Sequence, residues 1–169
     1  MTFAADIRHW ASADELVVHL AHYDPSIASW AKGIVYHHTA VPTAALWHGR
    51  KTLLGIRDYY IAKGWPAGPH LFIAPDGVWQ LTPLNLPGVH AIGANSSMWG
   101  IEVVGNYTKT PWPPLIRAHA LRAGAALLRW RRLKVTPSTV RGHRDYNKPT
   151  CPGKAIDLDQ VRADLMRLV

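Results

Sequence analysis

The chain alternates between stretches with the apolar spacing of helices and short runs of β-forming residues. The first helical stretch begins at a Ser-x-x-Glu capping box, Ser12 and Glu15, and continues through Leu16, Val17 and Leu20. A capping box satisfies free backbone N–H groups at a helix start, so this pattern predicts a helix near the N-terminus.

Three further helices follow from the same spacing. Thr52 can cap a second helix that Gly64 ends. Pro113 and Pro114 suit the first turn of a long third helix. The positions expected on one side of that helix are Leu115, His119, Arg122 or Ala123, Leu127 and Trp130. A C-terminal helix is predicted by four leucines and valines on one face, namely Leu158, Val161, Leu165 and Leu168.

Strands are predicted between these helices. The β-rich runs are 34–37, 70–74, 78–81, 99–104 and 140–143. A Pro-Asp-Gly turn at 75–77 joins the second and third runs as a hairpin. In the fourth run Ile101 and Val103 face one way and Glu102 the other. Helices and strands in this order predict a single α/β domain with a central mixed β-sheet flanked by α-helices.

Composition and charge limit the possible functions. The 169 residues suit one domain, and a net charge of +8 favours a polyanionic partner such as nucleic acid, anionic lipid or an anionic wall polymer. The first ten residues lack the apolar core of a secretory signal, and no apolar run has the roughly 18 residues of a membrane span. We therefore expect synthesis in the cytoplasm without a signal peptide. A monomer is the favoured oligomeric state.

Residues that bind metals and transfer protons lie at strand ends and in tight loops. These are the pair His37 and His38, then Glu102, then His143 and the single cysteine, Cys151. Two imidazoles and a thiolate suit a tetrahedral Zn²⁺ ion with a fourth position left for water. Their separation along the chain means that only the fold can bring them together.

Six blocks in order resemble the zinc N-acetylmuramoyl-L-alanine amidases, which include phage endolysins, cytosolic muropeptide-recycling amidases and peptidoglycan-recognition proteins. The blocks are IVYHHTA at 34–40, HLFIAPDG at 70–77, His90-Ala91 with Asn95, GIEVVG at 100–105, GHRD at 142–145 and CPG at 151–153. The resemblance covers 30–153 and implies a peptidoglycan-recognition-protein-like fold, preceded by an N-terminal helical extension (1–29) and followed by the C-terminal helix (154–169).

Position by position, the resemblance implies a zinc site and its neighbours. His37, His143 and Cys151 match the metal ligands, so His38 is expected to be structural or to support a ligand. Glu102 matches a catalytic base in a Gly-Ile-Glu strand, whereas Pro69 stands where some members have a catalytic Tyr. The groove for glycan and stem peptide is expected to involve Trp65, His70, His90 and Asn95.

The residue that stabilises the oxyanion remains open. Many members have Lys or Thr two positions before the third ligand, where this chain has Pro149. Lys148 and Thr150 flank that proline, and either can serve if the loop is shifted by one residue.

The sequence thus predicts a zinc hydrolase that cleaves peptidoglycan between N-acetylmuramic acid and L-alanine, most simply a phage or prophage endolysin that acts on the wall after release. Two alternatives stay open: a peptidoglycan-binding module without activity, and a cytosolic muropeptide-recycling amidase. Specific nucleic-acid binding is disfavoured because the chain has no RNA-binding motif and no zinc-finger spacing.

Overall fold

The computed structural model describes residues 2–169, and within that range it contains six strands and four α-helices. In chain order they are β1 (Arg8–Trp10), α1 (Ala13–Leu20), β2 (Ile34–His38), α2 (Arg50–Ala62), β3 (Leu71–Ala74), β4 (Gly77–Gln80), β5 (Trp99–Val103), α3 (Pro114–Trp130), β6 (Val140–Gly142) and α4 (Leu158–Met166). None of these helices combines the length and apolarity needed to span a membrane.

All six strands form one mixed sheet, in the order β1-β4-β3-β5-β2-β6. The predicted hairpin is present, because β3 pairs antiparallel with β4, and β1 extends this antiparallel edge. β3, β5, β2 and β6 run parallel to one another. The predicted mixed sheet is therefore confirmed, and the carboxyl ends of four parallel strands meet at one edge.

Helices cover both faces of the sheet. On one face α1, α3 and α4 enclose the main core, into which Ile34, Tyr36 and Ile101 point. On the other face Leu53 of α2 packs in a second cluster with Phe72. Because side chains alternate along a strand, the neighbours of the core residues in β2 and β5 point toward the α2 face.

The second helix begins earlier than its sequence predicts. Gly49 occupies the cap position and Arg50 is the first helical residue, so the expectation that Thr52 caps α2 is wrong. Thr52 lies in the first turn instead, where its hydroxyl accepts a hydrogen bond from the His48 N–H at 2.8 Å. The first helix follows its prediction, since Ser12 accepts from the Glu15 N–H at 3.4 Å.

The buried face of α3 includes Ala123 and Leu127, as predicted, but differs from the prediction at the start of the helix. Leu115 is 58% exposed, whereas Ile116 beside it is buried. Small residues set this face, because Gly124 lets the helix approach the Tyr36 ring closely. The Tyr36 hydroxyl then donates to the Ala120 carbonyl oxygen at 2.8 Å. Apolar spacing alone does not reveal this close approach.

The two ends of the chain also differ from the predictions. The N-terminal extension contains the edge strand β1 as well as the predicted helix, and Trp10 of this strand is buried. At the other end Leu158, Val161 and Leu165 are buried in α4 as predicted. Leu168 lies beyond the helix and is 38% exposed, so it does not belong to that buried face.

Candidate metal centre and groove

The carboxyl edge of the parallel strands gathers the polar residues singled out in the sequence. His37 lies near the end of β2 at this edge, opposite Glu102 of β5 in the strand register. β6 pairs with β2 up to Gly142, and His143 follows immediately. Open α/β sheets place ligands at the carboxyl ends of their strands, and this edge is such a place.

Cys151 reaches the same edge through a loop that returns to the strands. The Arg144 N–H donates to the Cys151 carbonyl oxygen at 2.7 Å. The backbone N–H of His38 points at the Cys151 sulfur, 3.4 Å away. The backbone of β2 therefore helps to set the position of the sulfur.

Three potential metal donors converge there. The ligand atoms of His37, His143 and Cys151 all lie within 4.8 Å of one another. Nδ1 of His37 is 3.0 Å from Nδ1 of His143 and 3.8 Å from Sγ of Cys151. Tetrahedral bonds of about 2.0–2.3 Å would place such donors about 3.3–3.7 Å apart, close to the distances found.

Hydrogen bonds on the far side of each imidazole aim its Nδ1 lone pair at this point. Nε2 of His143 donates to Oδ1 of Asn147 at 3.0 Å. Nε2 of His37 lies 3.1 Å from Nδ1 of His90, and Nε2 of His90 lies 2.8 Å from the Met98 carbonyl oxygen. A carbonyl oxygen only accepts, so Nε2 of His90 donates to Met98. Nε2 of His37 in turn donates to Nδ1 of His90.

This arrangement fits a bound cation. Both Nδ1 atoms carry lone pairs and face each other at 3.0 Å, a contact that is repulsive unless positive charge lies between them. A metal ion within reach of both nitrogens and the sulfur would supply that charge. The donor set is therefore suited to a metal by the direction of its lone pairs as well as by its residue types.

Burial controls the protonation of the donors. It lowers the pKa of His37 well below its ordinary value, and the nearby His90 and His143 lower it further. Burial likewise lowers the pKa of His90 to about 4. It raises the pKa of the Cys151 thiol to about 12, with a further rise from the Glu102 carboxylate. The histidines are neutral, as metal ligands must be, while the thiol needs a bound cation to ionise.

Glu102 lies beside the donors and lines a groove. Its Oε1 is 3.9 Å from Nδ1 of His37, and its Oε2 is buried without a hydrogen-bond partner. Burial raises the pKa of this carboxyl to about 8. The adjoining groove measures about 470 Å³, and its walls include Thr39, Pro42, Gly55, Tyr59, Tyr60 and Phe72. A carboxyl that holds a proton near neutral pH beside a groove is suited to acid–base chemistry.

Only part of the predicted substrate groove is accessible. His70 is completely buried, and both its ring nitrogens are engaged: Nδ1 accepts from the Gly100 N–H and Nε2 donates to the Leu86 carbonyl oxygen. The prediction that His70 contacts substrate is therefore wrong, because the fold uses its ring to join β3 to neighbouring segments. Trp65 is 36% exposed and stacks on Tyr60, a residue of the groove wall, so its substrate role stays a prediction.

His90 and Asn95 lie behind His37. His90 contacts His37 and Met98 through its two ring nitrogens. The Asn95 side-chain oxygen accepts from the N–H groups of both His90 and Ala91, each at 2.8 Å. Both residues are thus committed to contacts within the protein, although neither is fully buried.

Lys148 and Thr150 occupy the exposed loop between His143 and Cys151. Burial is the main cause of the lowered pKa of His143, and the Lys148 charge lowers it further. The same charge opposes the rise that burial causes in the pKa of Cys151. The Lys148 ammonium therefore lies within electrostatic reach of two donors.

Several supporting residues were not among those predicted from the sequence. Asn147 and Met98 accept hydrogen bonds from imidazoles, and Arg144 donates from its guanidinium to the carbonyl oxygens of Gly153 and Ile156. Arg144 belongs to the GHRD block, so the sequence does hold a signal for it. Tyr60 reaches the groove from α2 only through tertiary packing, which no local pattern reveals.

The family model for N-acetylmuramoyl-L-alanine amidase matches residues 28–154. The human N-acetylmuramoyl-L-alanine amidase is 29% identical over 147 residues, covering 78% of this chain and 24% of the human protein. The chain thus spans about a quarter of the length of that relative.

Solved structures show the same fold. The endolysin amidase LysCS from Clostridium intestinale URNW superposes with a TM-score of 0.69 at 24% identity, covering 82% of this chain and 86% of that one. Drosophila PGRP-LB superposes with a TM-score of 0.66 at 19% identity, covering 90% and 82%. At these identities the likeness establishes the fold, which agrees with the predicted peptidoglycan-recognition-protein-like architecture.

Proposed function

The chain belongs to the N-acetylmuramoyl-L-alanine amidase family, and we propose that it hydrolyses the amide between N-acetylmuramic acid and L-alanine in peptidoglycan. One observation carries the proposal. Three convergent donors, His37, His143 and Cys151, lie beside Glu102, which lines a groove and whose buried Oε2 has no hydrogen-bond partner. Family membership indicates which bond is cut, and this geometry provides the metal ligands and the proton acceptor that hydrolysis needs.

Zinc is the metal that suits this donor set best. Two neutral imidazoles and one thiolate form a usual zinc site, and three protein ligands leave a fourth position for the reaction. Bound there, Zn²⁺ supplies Lewis-acid chemistry, which polarises a carbonyl and acidifies water to a pKa near about 7.

Glu102 is proposed to move the proton. Its carboxyl lies 3.9 Å from the donor atom of His37, close enough to take a proton from a water molecule beside the three donors. Positive charge at the metal position would lower its raised pKa and leave it ionised as a base. The deprotonated water oxygen attacks the carbonyl carbon of the lactyl group of N-acetylmuramic acid. The protonated carboxyl then delivers its proton to the nitrogen of L-alanine as the C–N bond breaks, which leaves a free amine and a carboxylate.

Lys148 is favoured over Thr150 as the residue that stabilises the oxyanion. Its positive charge acts on both His143 and Cys151, and a cation that acts on the donors also favours negative charge on an oxyanion formed beside them. Lys148→Ala should lower kcat with little change in KM, while Thr150→Ala should change neither. The reverse result would assign the role to Thr150.

The metal ligands can be tested through metal content and activity together. Cys151→Ala and His143→Ala should each lose stoichiometric zinc and the release of new amino termini from purified peptidoglycan. His22→Ala changes an exposed histidine that lies outside the matched blocks, so it is the control and should keep both zinc and activity. Full activity of either ligand variant in the presence of a chelator would refute the zinc mechanism.

The proposed base has a separate test. Glu102→Gln keeps the shape of the side chain and removes its ability to accept a proton. The variant should bind zinc as the wild type does and lose about 100-fold or more in kcat. Normal turnover would remove Glu102 from this role.

A peptidoglycan-binding module without activity is the principal alternative. The presence of all three donors favours an enzyme, and measuring amino groups released from purified peptidoglycan distinguishes the two.

The +8 net charge is proposed to attract anionic wall polymer or lipid rather than nucleic acid. Competition between DNA and peptidoglycan for the protein tests this preference.

For the biological setting we propose lysis of the wall, as an endolysin does, in preference to muropeptide recycling. The basic charge supports this setting, since an assembled anionic wall attracts it more than small soluble fragments do. Faster clearing of permeabilised cells than cleavage of soluble muropeptides would support the proposal, and the opposite preference would favour recycling.

A further inference from the structure

We infer that His90 is a positioning residue for the metal centre, which holds His37 in the one tautomer and ring orientation that can bind metal through Nδ1. The inference rests on the proposed function, because it assigns the support of a ligand in that site. It also replaces the expectation that His90 lines the substrate groove.

The Met98 carbonyl sets the direction of the hydrogen bonds that link it to His90 and His90 to His37. The Met98 carbonyl oxygen only accepts, so Nε2 of His90, 2.8 Å away, carries a hydrogen. The neutral ring of His90 then presents a lone pair at Nδ1, which lies 3.1 Å from Nε2 of His37. Nε2 of His37 must carry the hydrogen of that bond, and its Nδ1 is left with the lone pair that faces His143 and Cys151.

His90 is itself held in place on two sides. The Asn95 side-chain oxygen accepts from the His90 and Ala91 N–H groups and so fixes the backbone at His90. On the other side Gly100 leaves room for the ring, because a Cβ at that position would come within 2.6 Å of Cγ of His90. The backbone at His90 is therefore bonded to Asn95, and its ring packs closely against β5 at Gly100.

Water cannot readily replace His90. His37 is 1% exposed, and the His90 ring meets it edge to face with an interplanar angle of 90°. Removing the acceptor would leave a buried N–H without a partner, or let His37 adopt the other tautomer and turn its lone pair away from the metal. Supports of this kind commonly contribute about 10–100-fold to metal affinity.

Two substitutions separate hydrogen bonding from packing. His90→Asn keeps an acceptor at the position of Nδ1 but loses ring volume, whereas His90→Leu keeps apolar bulk and loses the acceptor. Zinc affinity is measured by competition with a chromogenic chelator, and the Co²⁺-substituted proteins are examined by visible absorption. We expect His90→Leu to weaken zinc binding by about 10–100-fold and to change the Co²⁺ bands, and His90→Asn to stay within about threefold of wild type.

A packing role for His90 predicts the opposite order, with Asn weaker than Leu. That order, or equal affinities for wild type and both variants, would overturn the inference. If wild-type protein binds no zinc, the proposed function itself fails, and the variants are not needed to show it.

Asn95 provides a second pair in case His90→Leu does not fold. Asn95→Asp keeps the acceptor for the two N–H groups and should bind zinc nearly as wild type does, while Asn95→Ala should bind several-fold more weakly. Equal affinity of these two variants would contradict the support of His37 through His90 and its turn.

Discussion

The two sides of the metal centre are built differently. One side, here called the strand side, consists of His37 and Glu102 on the adjacent strands β2 and β5. The other, the loop side, consists of residues 143–153, which carry His143 and Cys151 and include the exposed Lys148. His37 is 1% exposed and its partner His90 is partly buried, whereas His143 is half-buried and its partner Asn147 is exposed.

This difference indicates how the site is kept in shape. The strand side derives its geometry from the sheet and the core, so it should persist without metal. The loop side is exposed over residues 147–150, and the contacts that Arg144 makes with the loop backbone are among those that hold it. We therefore expect substitutions at buried strand-side positions to cost more, in stability and in metal affinity, than substitutions at exposed loop-side positions.

The largest effect should come from the core beneath the strand side. Ile101 is completely buried between Tyr36 and Leu71 of the neighbouring strands. Ile101→Ala should lower the free energy of unfolding by about 2–5 kcal/mol, since it removes buried methyl groups and leaves a cavity. Urea unfolding of the metal-free protein measures this.

Val41 provides the control for that experiment. It is 75% exposed, so Val41→Ala should change the free energy of unfolding by no more than about 0.5 kcal/mol. A comparable loss in both variants would mean that the strand side does not depend on the core in the way described.

Acid should also destabilise the folded protein through its buried histidines, of which His70, just before β3, is one. Burial lowers the pKa of this ring to about 3, from an ordinary value of 6.5. Between those values the unfolded chain binds the proton and the folded protein does not. The contribution of His70 to the free energy of unfolding is therefore complete above pH 6.5 and decreases as the pH falls toward 3. Each pH unit in that window should cost up to about 1.4 kcal/mol.

The contribution of His70 can be isolated by a substitution. His70→Asn keeps an acceptor for the Gly100 N–H and removes the titrating ring. In chelator, its free energy of unfolding should fall less steeply than that of wild type as the pH is lowered from 6.5 toward 3. An unchanged slope would show that His70 does not account for the acid sensitivity.

The same contrast explains which features follow from the sequence and which do not. Strand-side residues are in regular elements, where the alternation of side chains is enough to predict that Ile101 and Glu102 face opposite sides of the sheet. The burial of His70 does not follow from such a pattern, because it depends on Leu86 and Gly100, which reach the ring only in the folded sheet.

Roles are harder to predict than positions. The motifs correctly place His90 and Asn95 near the site, but a motif cannot distinguish a groove wall from a support behind a ligand. On the loop side, the GHRD and CPG blocks identify the ends of the loop and give no geometry for Lys148 and Thr150 between them.

Arg144 is expected to have the next largest effect. Its guanidinium donates to the Gly153 and Ile156 carbonyl oxygens, and these contacts hold the segment that follows Cys151. Arg144→Leu should cost about 1.5–3 kcal/mol of stability through the lost charge-assisted hydrogen bonds, and it should make the loop side more sensitive to limited proteolysis. Arg129→Leu removes the same charge at an exposed helical position and should do neither. Equal protection of the loop in both variants would show that Arg144 is not its main tether.

Asn147 should have the smallest effect, and it tests the contrast most directly. Like His90, it accepts a hydrogen bond from a ligand imidazole, at 3.0 Å from Nε2 of His143. Unlike His90, it is exposed, so water can take its place at little cost. Asn147→Ala should therefore weaken zinc binding by no more than about threefold, against the roughly 10–100-fold expected of support for a buried ligand. If chelator competition finds Asn147→Ala as damaging as His90→Leu, burial does not decide the value of a ligand's support, and the two sides of the site are equivalent in this respect.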